Sequence, residues 1–231
     1  MSEIPPLPPV APPAPAPGLP WEEPNAGLGS IVPTAVQILR SPFQAFAKMS
    51  LTVDLVRPIA YFVAFVLLGT LIGQIWSYLF FDFYIGLFRS VLGSRLDSVA
   101  PLLHRPGAGE VIFGLIITPL IWVVALFVWT ALVHIGLLLL GGAKHGFAAT
   151  LRVICYAETA QLAVVVPFLG GLIAVFWQIV LQMIGLAEAH RTDGWKAAVA
   201  VIAPLVLCCF CIITGAVMFG TALMQVLQQA K

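Results

Sequence analysis

Charge is what this sequence lacks most: Asp, Glu, Lys and Arg together supply 9% of its 231 residues, against about 25% in an ordinary soluble domain. With 61% hydrophobic residues and a mean hydropathy of +1.03, the chain cannot cover itself with a water-soluble surface. It has no Lys/Arg-rich run, and its formal net charge is +1. A polyanion-binding face is therefore excluded, and a nucleic-acid partner with it. Cysteine is scarce too. Cys155, Cys208, Cys209 and Cys211 all lie inside apolar segments, so a disulfide framework is not expected. Cys208 and Cys211 make a C-x-x-C spacing, but no further Cys or His ligand lies nearby, and they read as small apolar packing residues. Neither a metal nor a cofactor is expected. The start of the chain lacks the basic region and apolar core of a secretory signal, which leaves the first apolar segment as the expected insertion signal. Catalytic signatures such as H-E-x-x-H, G-x-S-x-G and the phosphate-binding G-x-x-x-x-G-K-[ST] are missing. No set of cooperating polar groups replaces them, so the expectation is a protein that is not an enzyme.

What the chain does have is a series of long apolar runs. A helix rises about 1.5 Å per residue and must cross roughly 30 Å of hydrocarbon, so about 20 apolar residues suffice. Five such segments are predicted, at 58–81, 111–140, 147–166, 168–187 and 197–227, giving an all-α integral membrane protein built as a bundle of transmembrane helices. The second is longer than a perpendicular crossing needs and contains Pro119, where a bend or tilt can absorb the excess. The third is the weakest, because it carries Arg152, Glu158 and Gln161. If it does not cross, four spans remain. With five, Arg40, Lys48, Arg57, Lys144, Arg152, Arg191 and Lys196 fall on one side and Arg89, Arg95, Arg105 and Lys231 on the other. That bias places the N-terminus in the cytoplasm and the C-terminus on the opposite side.

Two segments precede the spans. Residues 1–30 hold ten of the eighteen prolines and read as a disordered, extended tail. Pro6, Pro9, Pro12 and Pro15 satisfy P-x-x-P spacing, which a proline-reading domain could use, but any proline-rich tract does so by chance and a plain spacer is the favoured reading. Over residues 31–57 the apolar residues Ile31, Ala35, Ile38, Leu39, Phe43, Phe46 and Met49 recur at helical spacing. Gln37, Arg40, Gln44 and Lys48 take the other face. This predicts an amphipathic helix, or two short ones broken near Pro42, lying at the headgroup boundary; packing against a soluble partner is the alternative. Phe83, Tyr84, Ile85, Leu87 and Phe88 predict another amphipathic turn at the opposite interface.

A charge inside a span costs about 2.5 to 3.5 kcal/mol at the centre, so the third segment holds the candidate functional residues: Arg152, Tyr156, Glu158 and Gln161. Arg152 lies near one end and can snorkel to the headgroups. Arg152 and Glu158 are six residues apart, which turns them roughly 120° from one another on a helix, and they are not expected to pair. Glu158 could serve a proton- or cation-coupled step, or simply bond to a neighbouring Tyr, Gln or Trp. Gln178 and Gln182 share a face and can bridge helices. His134 reads as a hydrogen-bonded packing residue, while Glu188 and His190 read as solvated. Gly69 and Gly73 form a G-x-x-x-G, and Gly170 and Gly171 permit tight packing or a bend.

The order of these elements resembles the Yip family, the Ypt/Rab-interacting membrane proteins, in its bacterial form. Ser41-Pro42-Phe43-Gln44-Ala45-Phe46-Ala47-Lys48-Met49 resembles the Pro-x-x-Phe-x-x-Met helix before the first span, with Pro42 and Phe46 as motif residues. Asp54-Leu55-Val56-Arg57-Pro58 is similar to the family's Asp-Leu-Tyr-Gly-Pro, keeping Asp54, Leu55 and Pro58. Cys155 to Leu162, Pro167-Phe168 and Gly185 to His190 resemble its third- and fourth-span signatures, with Ala160 standing where a proline is frequent. The resemblance implies a five-helix domain with a cytosolic N-terminus. In eukaryotic members it implies trafficking with small GTPases, a role from which Val56 and Arg57 depart; in a bacterium the inner membrane would be the host and that partner class would not transfer. The reading that follows is a membrane-organising or partner-recruiting scaffold. Its partners would be the lipid bilayer, proteins engaged through the N-terminal tail and interfacial helix, and other copies or subunits in a homo- or hetero-oligomer. The alternative is a small transporter or channel component using Glu158 and Arg152.

Overall fold

In hydrocarbon each backbone N–H and C=O must find its partner within the protein, so apolar runs of this length resolve as helices. The computed structural model describes residues 18–51, 54–93 and 104–229, and no strand occurs among them. Helices α1 (Ile31–Arg40) and α2 (Pro42–Lys48) precede α3 (Val56–Leu79), α4 (Phe81–Leu92), α5 (Ala108–Leu139), α6 (Gly146–Ala157), α7 (Gly170–His190) and α8 (Gly194–Gln229). Five segments are long and apolar enough to cross a membrane: Val56–Leu79, Ala108–Leu139, Gly146–Val165, Gly170–His190 and Gly194–Thr221. Their ends follow local chemistry. Gly141, at φ +64°, lets the Gly142 N–H reach back to the Leu137 carbonyl at 2.7 Å, a left-handed helix stop that a side chain would resist.

The third of these segments is composite. After α6 the chain tightens into a 3-10 helix over Glu158–Val165. Twelve α-helical and eight 3-10 residues rise about 18 and 16 Å, enough together for the hydrocarbon thickness. Of its most apolar window 67% is buried inside the protein, against 6% for α5. The least apolar segment is thus the innermost, and its polar groups are screened by α3, α5 and α7, which pack around it. At its far end Phe168 holds φ at +65°. Its ring lies between those of Phe80 and Phe83, with centroids 4.7 and 5.2 Å away, and this aromatic cluster fixes the turn into α7. A Cβ on Gly170 would stand 2.2 Å from the Ala163 carbonyl oxygen, whereas one on Gly171 would meet nothing within 4 Å.

Ahead of the spans the structure corrects one expectation. The composition predicts a solvated tail up to residue 30, but from Gly18 onward the chain lies on the bundle, with Leu19 fully buried, Trp21 nearly so, and short 3-10 turns at Pro20–Glu22 and Leu28–Ser30. The reason is that Leu19 and Trp21 bring enough apolar area to offset the ordering of a proline-stiffened strand, and Glu22 meets a buried cation. Pro6, Pro9, Pro12 and Pro15 lie outside the described residues. The amphipathic segment forms two helices that meet at Ser41, with Pro42 in the first turn of α2, where its missing N–H is harmless. Ala35, Ile38, Ala45, Phe46 and Met49 face inward. A Cβ on Gly185 would lie 2.6 Å from Val153 and 3.0 Å from the Phe46 ring, so α2 sits close on α7 because Gly185 has no side chain. The aromatic stretch after α3 is the 12-residue helix α4, whose Phe83, Leu87 and Phe88 are exposed.

Candidate functional site

From Arg152 onward the polar residues of the third segment form three separate groups. Nearest the α6 N-terminus, Arg152 is 2% exposed and Glu22 5%, and their guanidinium and carboxylate pair at 2.5 Å. Arg152 also donates to the Asp54 carbonyl. Glu22 Oε1 accepts from the Tyr156 hydroxyl at 3.1 Å, and Oε2 from the Ser50 amide at 2.7 Å. Burial pushes the Glu22 carboxyl above its ordinary value, and the Ser50 amide, the Arg152 charge and the Tyr156 hydroxyl offset part of that rise. Snorkelling, the expectation for Arg152, is therefore replaced by an internal counter-ion from a segment 130 residues away.

Arg57 completes the clasp from the other side. Its guanidinium donates to the Trp21, Glu23 and Pro24 carbonyls at 2.8, 2.7 and 2.9 Å, and the Trp21 indole N–H returns a bond to the Arg57 carbonyl at 2.7 Å. The Trp21 amide donates to the Thr34 hydroxyl on α1 at 2.9 Å. The Asp54 side chain accepts the Val56 amide at 3.0 Å and so ties down the start of α3, where Leu55 is half-buried and Pro58 buried. The motif residues Asp54, Leu55 and Pro58 thus shape the socket of this clasp. Arg57, a departure from the motif, is the residue that grips the strap.

One turn deeper, Thr159 donates to the Tyr156 carbonyl at 2.7 Å, so the Tyr61 hydroxyl, 2.7 Å away, donates to Thr159. Tyr61 and Tyr156 meet edge to face with centroids 5.1 Å apart. Beside Thr159 in the chain, Glu158 is 4% exposed. Its Oε1 accepts from Gln161 at 3.1 Å and its Oε2 from Gln178 on α7 at 2.6 Å. Arg152 and Glu158 do not pair with each other, as their spacing predicts. Gln182 bridges to the Trp129 indole at 3.0 Å, so both glutamines join helices. Gly69 leaves room for Gln161, whose Oε1 would lie 3.1 Å from an added Cβ, while nothing crowds Gly73.

A fourth polar group corrects the reading of the histidines. His190, expected to be solvated, is fully buried. Its Nδ1 accepts the His145 amide at 3.1 Å, so Nε2 carries the proton and donates to Thr150 at 2.9 Å; Thr150 in turn donates to His134 Nδ1 at 2.9 Å. His190 is sealed because the last turn of α7 lies under the α5–α6 connection that carries His145. Among the described residues no group of three or more His, Cys, Asp or Glu is placed to hold a metal ion. Sequence reasoning missed Trp21, Glu22, Ser50, Arg57 and Thr150. Glu22 alone had a signal: an acid beside a Trp in an otherwise apolar tail, in a chain with an uncompensated Arg in a span.

Compared with known proteins, residues 36–215 match the profile of the Yip1 domain. No curated protein and no solved structure gives a significant match.

Proposed function

The chain belongs to the Yip1 domain family and is a multi-pass membrane protein, and from that premise we propose that it works as a non-enzymatic scaffold which organises the membrane and recruits protein partners through its N-terminal segment. The observation that carries this reading is the clasp between Glu22 and Arg152. It fastens the segment ahead of the spans to the innermost crossing, so a partner engaging the tail engages the whole bundle. The outer faces of α1 and α2 support an interfacial position. Val32, Val36 and Phe43 are exposed there, with Leu28 in the turn just ahead, alongside Arg40 and Lys48, apolar groups for the acyl boundary and cations for the headgroups. Transport through Arg152 and Glu158 is not favoured: Arg152 is held by Glu22 and the Asp54 carbonyl, and the two groups do not form a pair across which a proton or ion could pass.

The test is partner capture by proximity labelling in cells, comparing the full chain, a chain lacking residues 1–17, and Trp21→Ala. Truncation is expected to remove tail-dependent partners and Trp21→Ala to weaken the same ones. Identical partner sets for all three would remove the recruiting role.

A further inference from the structure

Glu158 stands where two cavities of opposite character meet. On one side a cleft of about 770 Å³ is lined by Phe62, Trp122, Leu126, Trp129, Ile154 and Ile212, with Glu158 and Gln178 at its inner end. On the other side a polar cavity of about 200 Å³ is bounded by Gly69, Thr70, Trp122, Glu158 and Gln161. Trp122 and Glu158 line both. The larger volume lies within the range of about 300–1,000 Å³ typical of small-molecule sites, and its walls are mainly apolar, with Glu158, Gln178, the Cys208 thiol and two indoles as the exceptions.

The acid retains accepting capacity. Each carboxylate oxygen takes one hydrogen bond, from Gln161 and from Gln178, whereas the group offers about four lone-pair sites. Within a bilayer a carboxylate is costly, and each further donor able to reach it is stabilising. Depth then limits the donor. Glu158 lies twelve residues along the crossing that begins at Gly146 and seven before its end at Val165, roughly 18 Å from one end and 14 Å from the other. The headgroup of a phospholipid is anchored at the interface and does not travel so far inward.

We infer that the paired cavities bind a single-chain lipid alcohol, its hydroxyl in the polar cavity donating to Glu158 and its chain lying in the apolar cleft. A hydroxyl fits because it is small, uncharged and able to donate, and because Thr70 and Gln161 beside it offer further polar contacts. The hydrocarbon chain replaces bilayer lipid against Trp122 and Trp129, so the selective element is the hydroxyl.

The experiment uses the full chain in lipid nanodiscs and three photoactivatable probes of equal chain length: hexadecanol, its methyl ether, and the plain hydrocarbon. The alcohol is expected to label peptides carrying Trp122 or Cys208 saturably and at least tenfold more than the ether, which has the oxygen but not the donor. Glu158→Gln, whose terminal group brings a competing donor among two existing ones, is expected to bring alcohol labelling down to the ether level. Ala125→Trp leaves the acid untouched and fills the cleft from the bilayer-facing wall, and it is expected to abolish labelling even if the Glu158 variant fails to fold. Equal labelling by alcohol and ether would overturn the inference. So would labelling unchanged by Ala125→Trp, or a cleft that stays unlabelled and instead cross-links to a helix of another chain through a cysteine placed at Ala125.

Discussion

A guanidinium that cannot reach water must find a counter-charge inside the protein, and for Arg152 the only acid it pairs with among the described residues is Glu22. The pair is coupled to two further donors, Tyr156 and Ser50, and one acceptor, the Asp54 carbonyl, so either partner left alone would be a buried, unpaired charge, which costs about 3–5 kcal/mol. Glu22→Gln and Arg152→Gln are each expected to lower the melting point in nanodiscs sharply. The double variant is expected to be less damaging than the sum of the two singles, because it leaves neither charge behind. Strictly additive effects would show that the two groups are not energetically coupled. The sequence marks Arg152 and Glu158 as groups needing partners, since hydropathy alone exposes a charge in a span. It could not identify those partners, because Glu22 and Gln178 reach them across 130 and 20 residues and nothing periodic links positions so far apart. His190 misled for a different reason: it follows the apolar run of α7, and only the covering α5–α6 connection makes it buried.

At the level of the element, the decisive feature is the change from α-helix to 3-10 helix at Glu158. It lengthens a crossing that would otherwise be short and turns Glu158 toward Gln178 on α7. The return into α7 is correspondingly tight, and two adjacent glycines play unequal parts in it. Gly170→Ala drives a methyl into the Ala163 carbonyl, whereas the same change at Gly171 meets open space. Thermal unfolding is expected to show a loss of roughly 1–3 kcal/mol for the first and little or none for the second; equal effects would contradict the described turn. The sequence placed Pro167 at this boundary and the two glycines beside it. Which glycine bears the constraint depends on where the preceding segment ends, and that is a tertiary fact. The same holds for α2, where Pro42 announced a break but only the missing side chain of Gly185 allows Phe46 to close on α7.

Across the whole molecule, the apolar runs and their order were legible in the sequence to within a few residues, because a bilayer demands length and hydropathy above all. The docked strap was not, since proline-rich composition reads as tail and the anchoring signal is confined to Leu19, Trp21 and Glu22. Together these features make one claim: the most polar of the five segments, Gly146–Val165, crosses the membrane because its charges are held inside the bundle by the N-terminal strap and by α7. That claim fixes the parity of the chain. The direct measurement is labelling by a membrane-impermeant maleimide in sealed vesicles, after replacing the four native cysteines and placing a single cysteine at Asn25 or at Lys231. Labelling of the two positions from opposite faces is the predicted result, and labelling of both from the same face would mean that Gly146–Val165 does not cross.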